Sequence, residues 1–181
     1  YDPATNKEIH PSISADGRSS TPTLAFGPNG LLYIQDESRP LMTYNPTTKN
    51  KSQKIIKLKY GNWPSMAFGP NGLLYIAHHG SDKVRIYDPA TNKEIHPSIS
   101  NTSGVGTPEI TFGPDGLLYI INDNGRLTSY DPTTKKSKSL RQIRTGNWPS
   151  MAFGPDGLLY VAGHGSNVIK VYDPATNKEI H

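Results

Sequence analysis

The sequence predicts an all-β chain folded as a β-propeller of four four-stranded blades, and three observations carry that prediction. The first is a repeat: Phe-Gly-Pro-Asn/Asp-Gly-Leu-Leu-Tyr begins at Phe26, Phe68, Phe112 and Phe153, at spacings of 42, 44 and 41 residues. Units of that size, each rich in short strands, are the sequence mark of propeller blades. The second is composition, because 17 Gly and 16 Pro among 181 residues break any long helix. The third is alternation of apolar and polar residues, as in Lys83-Val84-Arg85-Ile86-Tyr87, which has the period of a strand with one buried face.

The second unit shows each element in order. Trp63-Pro64-Ser65-Met66-Ala67-Phe68 is the innermost strand. Gly69-Pro70-Asn71-Gly72 is a tight turn, where Pro presets one dihedral and Asn-Gly tolerates positive φ. Leu73 to Ala77 is a second strand, His78-His79-Gly80-Ser81-Asp82 a loop, and Lys83 to Tyr87 a third strand. After a turn at Asp88-Pro89-Ala90-Thr91-Asn92, the polar stretch Lys93 to Ser100 contains Pro97 and suits an outer edge. Applied to all units, this places blades at approximately 15–58, 59–100, 101–143 and 144–181. A longer period overlies the short one. Tyr-Asp-Pro-Ala-Thr-Asn-Lys-Glu-Ile-His occurs at 1–10, 87–96 and 172–181, and Gly-Asn-Trp-Pro-Ser-Met-Ala-Phe-Gly-Pro at 61–70 and 146–155. The units therefore run a-b-a-b, as if a two-unit block had been duplicated in evolution or by engineering.

The stretch from Leu74 to Lys93, with its copy from Leu159 to Lys178, resembles the YVTN repeat of bacterial and archaeal surface propellers. The preceding Ala-Phe-Gly-Pro-Asp-Gly segments are similar to the NHL and streptogramin-lyase type of repeat. The resemblance covers nearly the whole chain and implies a propeller. It leaves activity open among surface proteins, adaptors, lactonases and a lyase, and leans toward an extracellular or cell-surface setting.

Residues 7–14 read as a spare outer strand, while the last unit stops partway into its own at Lys178-Glu179-Ile180-His181. Residues 7–14 would thus complete the blade that ends at His181. The chain either closes this way as a four-bladed monomer, shares an eight-bladed ring with a second chain through reciprocal strand exchange, or is half of a longer protein; the homodimer is preferred. Opening at Tyr1-Asp2-Pro3, the sequence reads as a mature piece, an excerpt or an engineered product.

Antiparallel strands place the loop before the first strand and the loop between the second and third on one face of the propeller. Trp63 there joins His78, His79, Ser81 and Asp82, and Trp148 joins His164, Ser166 and Asn167. The tryptophans are expected about half a ring apart in a four-bladed ring and nearer a quarter turn in an eight-bladed one. A Trp beside an imidazole, a hydroxyl and an amide or carboxylate composes a shallow site for a sugar or another flat polar ligand. The candidate ligand-binding residues are therefore Trp63, His79, Ser81, Asp82, Trp148, His164, Ser166 and Asn167, forming two equivalent sites. Packing of the tryptophans between blades is the competing explanation, and the commoner fate of a large apolar side chain.

Other chemistry finds less support. Zero cysteines exclude disulfides, thiolate metal sites and cysteine nucleophiles. Adjacent strand residues point to opposite faces, so His78 and His79 do not share an ion, and no metal or cofactor is assigned. The acids Asp36, Glu37, Asp82 and Asp123 read as interchangeable loop residues, and no catalytic residue is assigned. Ten of the 19 basic residues fall in two outer strands (Lys49, Lys51, Lys54, Lys57, Lys59, Lys135, Lys136, Lys138, Arg141 and Arg144), where lysine deters edge-to-edge association or meets an anionic surface. No aromatics interleave with them, which disfavours nucleic acid, and no apolar run approaches the roughly 18 residues of a membrane span. The leading expectation is a non-enzymatic binding or assembly scaffold. Carbohydrate binding is the alternative, and a lyase or lactonase the third.

Overall fold

The computed structural model describes residues 2–8, 22–37, 40–56, 62–100 and 106–180. These residues form sixteen strands and no helix. Blade 1 contains β1 (Thr23–Phe26), β2 (Leu32–Gln35), β3 (Leu41–Asn45) and β4 (Asn50–Ile56). Blade 2 contains β5 (Asn62–Phe68), β6 (Leu74–His79), β7 (Lys83–Asp88) and β8 (Lys93–Ser100). Blade 3 contains β9 (Glu109–Phe112), β10 (Leu118–Ile121), β11 (Arg126–Asp131) and β12 (Lys136–Gln142), and blade 4 contains β13 (Asn147–Phe153), β14 (Leu159–His164), β15 (Lys170–Asp173) and β16 (Lys178–Glu179). Each blade is an antiparallel sheet with strands in sequence order. The result is the predicted four-bladed propeller arrangement.

The repeated motifs act as local folding units. In the first hairpin of blade 2, Gly72 N–H donates to the Gly69 carbonyl at 2.9 Å, while Asn71 accepts from Leu73 N–H at 3.2 Å and donates to the Tyr75 hydroxyl at 3.0 Å. One turn residue thereby fixes both the bend and the tyrosine four positions on; Asp115 does the same for Tyr119 through a 2.7 Å bond. In the second hairpin, Asp88 accepts from Thr91 Oγ1 at 2.7 Å and Ala90 N–H at 2.8 Å, which together hold its carboxyl below the usual carboxylate range. The His78-His79 pair is strand rather than loop, because Asn62 pairs with His79 and carries β6 two residues further.

Inner strands neighbour one another in order, β1 beside β5, β5 beside β9 and β9 beside β13, whereas β13 makes no comparable contact with β1. Each boundary repeats one aromatic contact. Phe68 packs edge-on against Tyr33 at 5.0 Å, Phe112 against Tyr75 at 5.1 Å and Phe153 against Tyr119 at 5.0 Å. Gly27, Gly69 and Gly113 make room for this: a Cβ on Gly69 would lie 2.8 Å from the Phe112 ring and 3.0 Å from that of Tyr75. Three apolar clusters fill the boundaries, centred on Tyr33 with Leu74, Tyr75 with Leu118, and Tyr119 with Leu159. The expectation that all four phenylalanines are buried between blades fails at Phe26, which is 64% exposed and, among the described residues, lacks the Tyr contact that the other three make.

On the rim, Lys136, Lys138 and Arg141 of β12 are exposed, and Arg141 pairs with Glu179 of the next blade at 3.6 Å. No helix among the described residues is long and apolar enough to cross a membrane. At the amino end, Asp2 bridges to Lys7 in a copy of the second hairpin. The pairing expected of residues 7–14 falls mainly on 9–14, outside the described residues.

Candidate functional site

Both tryptophans sit in the same local distortion. Between Asn62, which pairs with His79, and Ser65, which pairs with Ala77, two residues oppose the single His78. The same shift separates Asn147 and Ser150 on β13. A bulge of this kind re-aims a side chain at the end of a strand. It forces Trp63 and Trp148 into the left-handed region, at φ of 46° and 48°. A bulky residue adopts that region only when its surroundings hold it there, and such strain gathers at functional sites.

The restraints are identifiable. Trp148 N–H donates to Asp123 Oδ1 at 2.8 Å, and the other oxygen of that carboxylate accepts from Thr107 N–H at 2.8 Å. Trp63 N–H donates to Glu37 Oε1 at 3.4 Å. Asp123 and Glu37 follow β10 and β2 in the preceding blades, so loop acids that read as interchangeable in the sequence share one job: each accepts from the tryptophan backbone of the next blade. On the side-chain side, Trp63 packs edge-on against His79 at 4.9 Å, and Trp148 meets His164 at 4.8 Å.

The two indoles are not separate sites half a ring apart. Their centroids lie 6.1 Å apart with planes inclined at 62°. Together they wall one cleft of about 420 Å³, completed by Pro22, Pro64, Thr107, Pro108 and Glu109. The other predicted site residues lie off this lining. Ser81 and Ser166 accept from Lys83 N–H and Val168 N–H, at 3.2 and 3.3 Å, and shape their own turns; Asp82 and Asn167 are exposed beside them.

Glu109 and Thr107 were not singled out by the sequence. Glu109 begins β9 at the position held by Thr23, Ser65 and Ser150 in the other blades, and this break in the repeat is the signal that could have exposed it. Burial pushes its carboxyl up to about 7, against the opposing effect of the Ser65 hydroxyl; Ser65 Oγ also accepts from Ile110 N–H at 3.1 Å. The Thr107 hydroxyl oxygen is buried, with no hydrogen-bond partner among the described residues.

His78 lies beneath the bulge, 4% exposed, and neither ring nitrogen has a hydrogen-bond partner among the described residues. Burial, reinforced by the positive charge of Arg85, lowers its imidazole to about 4. Blade 4 has Gly163 at this position, where a Cβ would lie 2.2 Å from the Thr145 carbonyl oxygen. The described residues contain no group of three or more His, Cys, Asp or Glu side chains that could hold a metal.

Four antiparallel blades with converging inner strands make this protein a β-propeller. The chain belongs to the Tachylectin family, whose model matches residues 12–179. No curated protein matches it. Among solved structures, two of virginiamycin B lyase from Staphylococcus aureus share its fold. A catalytically inactive variant with quinupristin superposes with a TM-score of 0.74 and the selenomethionine-substituted protein with 0.73, each at 16% identity over 92% of this chain. The match covers 57% of the lyase chain, so this chain spans little more than half its length. At that identity the likeness concerns architecture alone, in keeping with the resemblance to streptogramin-lyase-type repeats.

Proposed function

We propose that the chain is a lectin that binds a carbohydrate in the cleft between Trp63 and Trp148. The observation that carries this reading is the pair of indoles, 6.1 Å apart, held in left-handed backbone over a cleft whose lining also includes Glu109 and Thr107. Aromatic faces cover the C–H surface of a sugar, and a few fixed polar groups read its hydroxyls. The lectin family supports it. His79 and His164 act as positioning residues that brace the indoles. Among the described residues Glu109 is the one ionisable side chain in the cleft lining, where glycoside hydrolysis ordinarily uses two carboxyl groups, and this favours binding over turnover.

The test is a glycan array on the full chain, followed by calorimetric titration of the best ligand. Trp148→Ala should weaken binding at least tenfold while the melting temperature moves by only a few degrees. An array without hits, or binding unchanged in Trp148→Ala, would overturn the assignment.

A further inference from the structure

Every internal blade boundary joins the same two faces. A leading face presents the Phe of its inner strand; a trailing face presents the Tyr of its second strand and an aliphatic residue near the start of its third. Tyr33 and Leu41 receive Phe68, Tyr75 and Val84 receive Phe112, and Tyr119 and Leu127 receive Phe153. Leu41, Val84 and Leu127 are 0% exposed.

The two outermost faces are the unmatched halves of this boundary. On blade 4, Ile169 stands where Val84 and Leu127 stand and is 63% exposed; Tyr160, equivalent to Tyr75, is 37% exposed. On blade 1, Phe26 and Leu24 are exposed in the same way. The seat is already formed: Gly154 lies against Tyr160 with the close approach seen at Gly69 and Gly113, yet no phenyl ring is among its nearest neighbours.

We propose that two copies of this chain associate head to tail, with Phe26 of one copy seated against Tyr160 and Ile169 of the second. The occupant is argued from the molecule itself, because three internal boundaries show that these two surfaces fit each other. Among the described residues they do not meet within one chain, because β1 and β13 make no contact comparable to that of the inner strands at the three internal boundaries. Contact between unlike faces propagates in one direction, so each copy keeps one face free until reciprocal pairing closes a ring. This association stands apart from carbohydrate binding and from any exchange of residues 7–14.

The asymmetry gives the test. Phe26→Asp disables only the leading face and Ile169→Asp only the trailing face. By light scattering and native mass spectrometry, the full chain should form a dimer in the micromolar range, and each variant alone should be a monomer. An equimolar mixture should recover a one-to-one dimer, because the trailing face of one variant and the leading face of the other are intact. That recovery also shows that both variants fold. A wild-type chain that stays monomeric up to hundreds of micromolar overturns the proposal, as does a mixture that fails to associate.

Discussion

Glu109 and His78 are both pushed toward their neutral forms, and their effects on stability run in opposite directions with pH. The Glu109 carboxyl is raised in the fold to about 7, so the folded state holds its proton more tightly than the unfolded chain. Its favourable contribution is complete below the ordinary glutamate range and is lost as pH rises toward 7. His78 is lowered to about 4, so its contribution is complete above the ordinary histidine range and is lost as pH falls toward 4. Glu109→Gln should therefore melt above wild type at pH 8, by the equivalent of about 1–2 kcal/mol after allowing for partial solvation of the cleft, and the gap should close near pH 4. His78→Asn, which installs the residue that blade 3 carries at this position, should flatten the acid limb, where up to about 3 kcal/mol is at stake. Melting curves from pH 4 to 8 check both. Ligand affinity gives an independent readout for Glu109, since a carboxyl that reads sugar hydroxyls should make the affinity of wild type, and not of Glu109→Gln, vary around pH 7.

At the scale of the element, the bulges of β5 and β13 decide where the indoles point. Asp123 accepts from two backbone N–H groups at 2.8 Å, whereas Glu37 accepts from Trp63 N–H at the longer distance of 3.4 Å. Removing the first should leave two donors without their acceptor. Asp123→Ala is expected to cost about 1–3 kcal/mol and to shift tryptophan fluorescence, with Glu37→Ala costing less. Denaturant melts and emission spectra test that order. Much of this element was legible in advance. The alternation of Lys83 to Tyr87 and the Gly-Pro-Asn-Gly turns placed strands and hairpins, because their causes are local. The bulge was not legible, since Trp-Pro-Ser reads as an ordinary inner strand until the partner strand shows one residue opposite two.

For the molecule as a whole, one aromatic contact repeated at each boundary carries the architecture, and its value depends on whether a blade lies on the far side. Phe112→Ala should destabilise the chain by about 2–3 kcal/mol, through the lost contact with Tyr75 and the space left behind. Phe26→Ala should have little effect on the melting of dilute chain, because its ring faces solvent there. Chemical melts at low concentration compare the two directly, and equal losses would mean that Phe26 already has a partner.

The sequence by itself determined the all-β class, the four units and the turn chemistry, because each follows from neighbours within one repeat: the Asn or Asp that fixes its own hairpin, the Tyr four residues on, and the Asp-Thr pair of the next turn. It also placed Trp63 with His79 and Trp148 with His164, since strand alternation alone sends them to one face. Only the tertiary structure decided that the two tryptophans meet in a single cleft, that Glu109 and Thr107 belong to it, and that four equivalent phenylalanines have different fates. Identical repeats encode identical blades, but the surroundings of a blade depend on its place in the row. Burial, charge state and an unmatched face belong to the arrangement of the blades, which no single repeat contains.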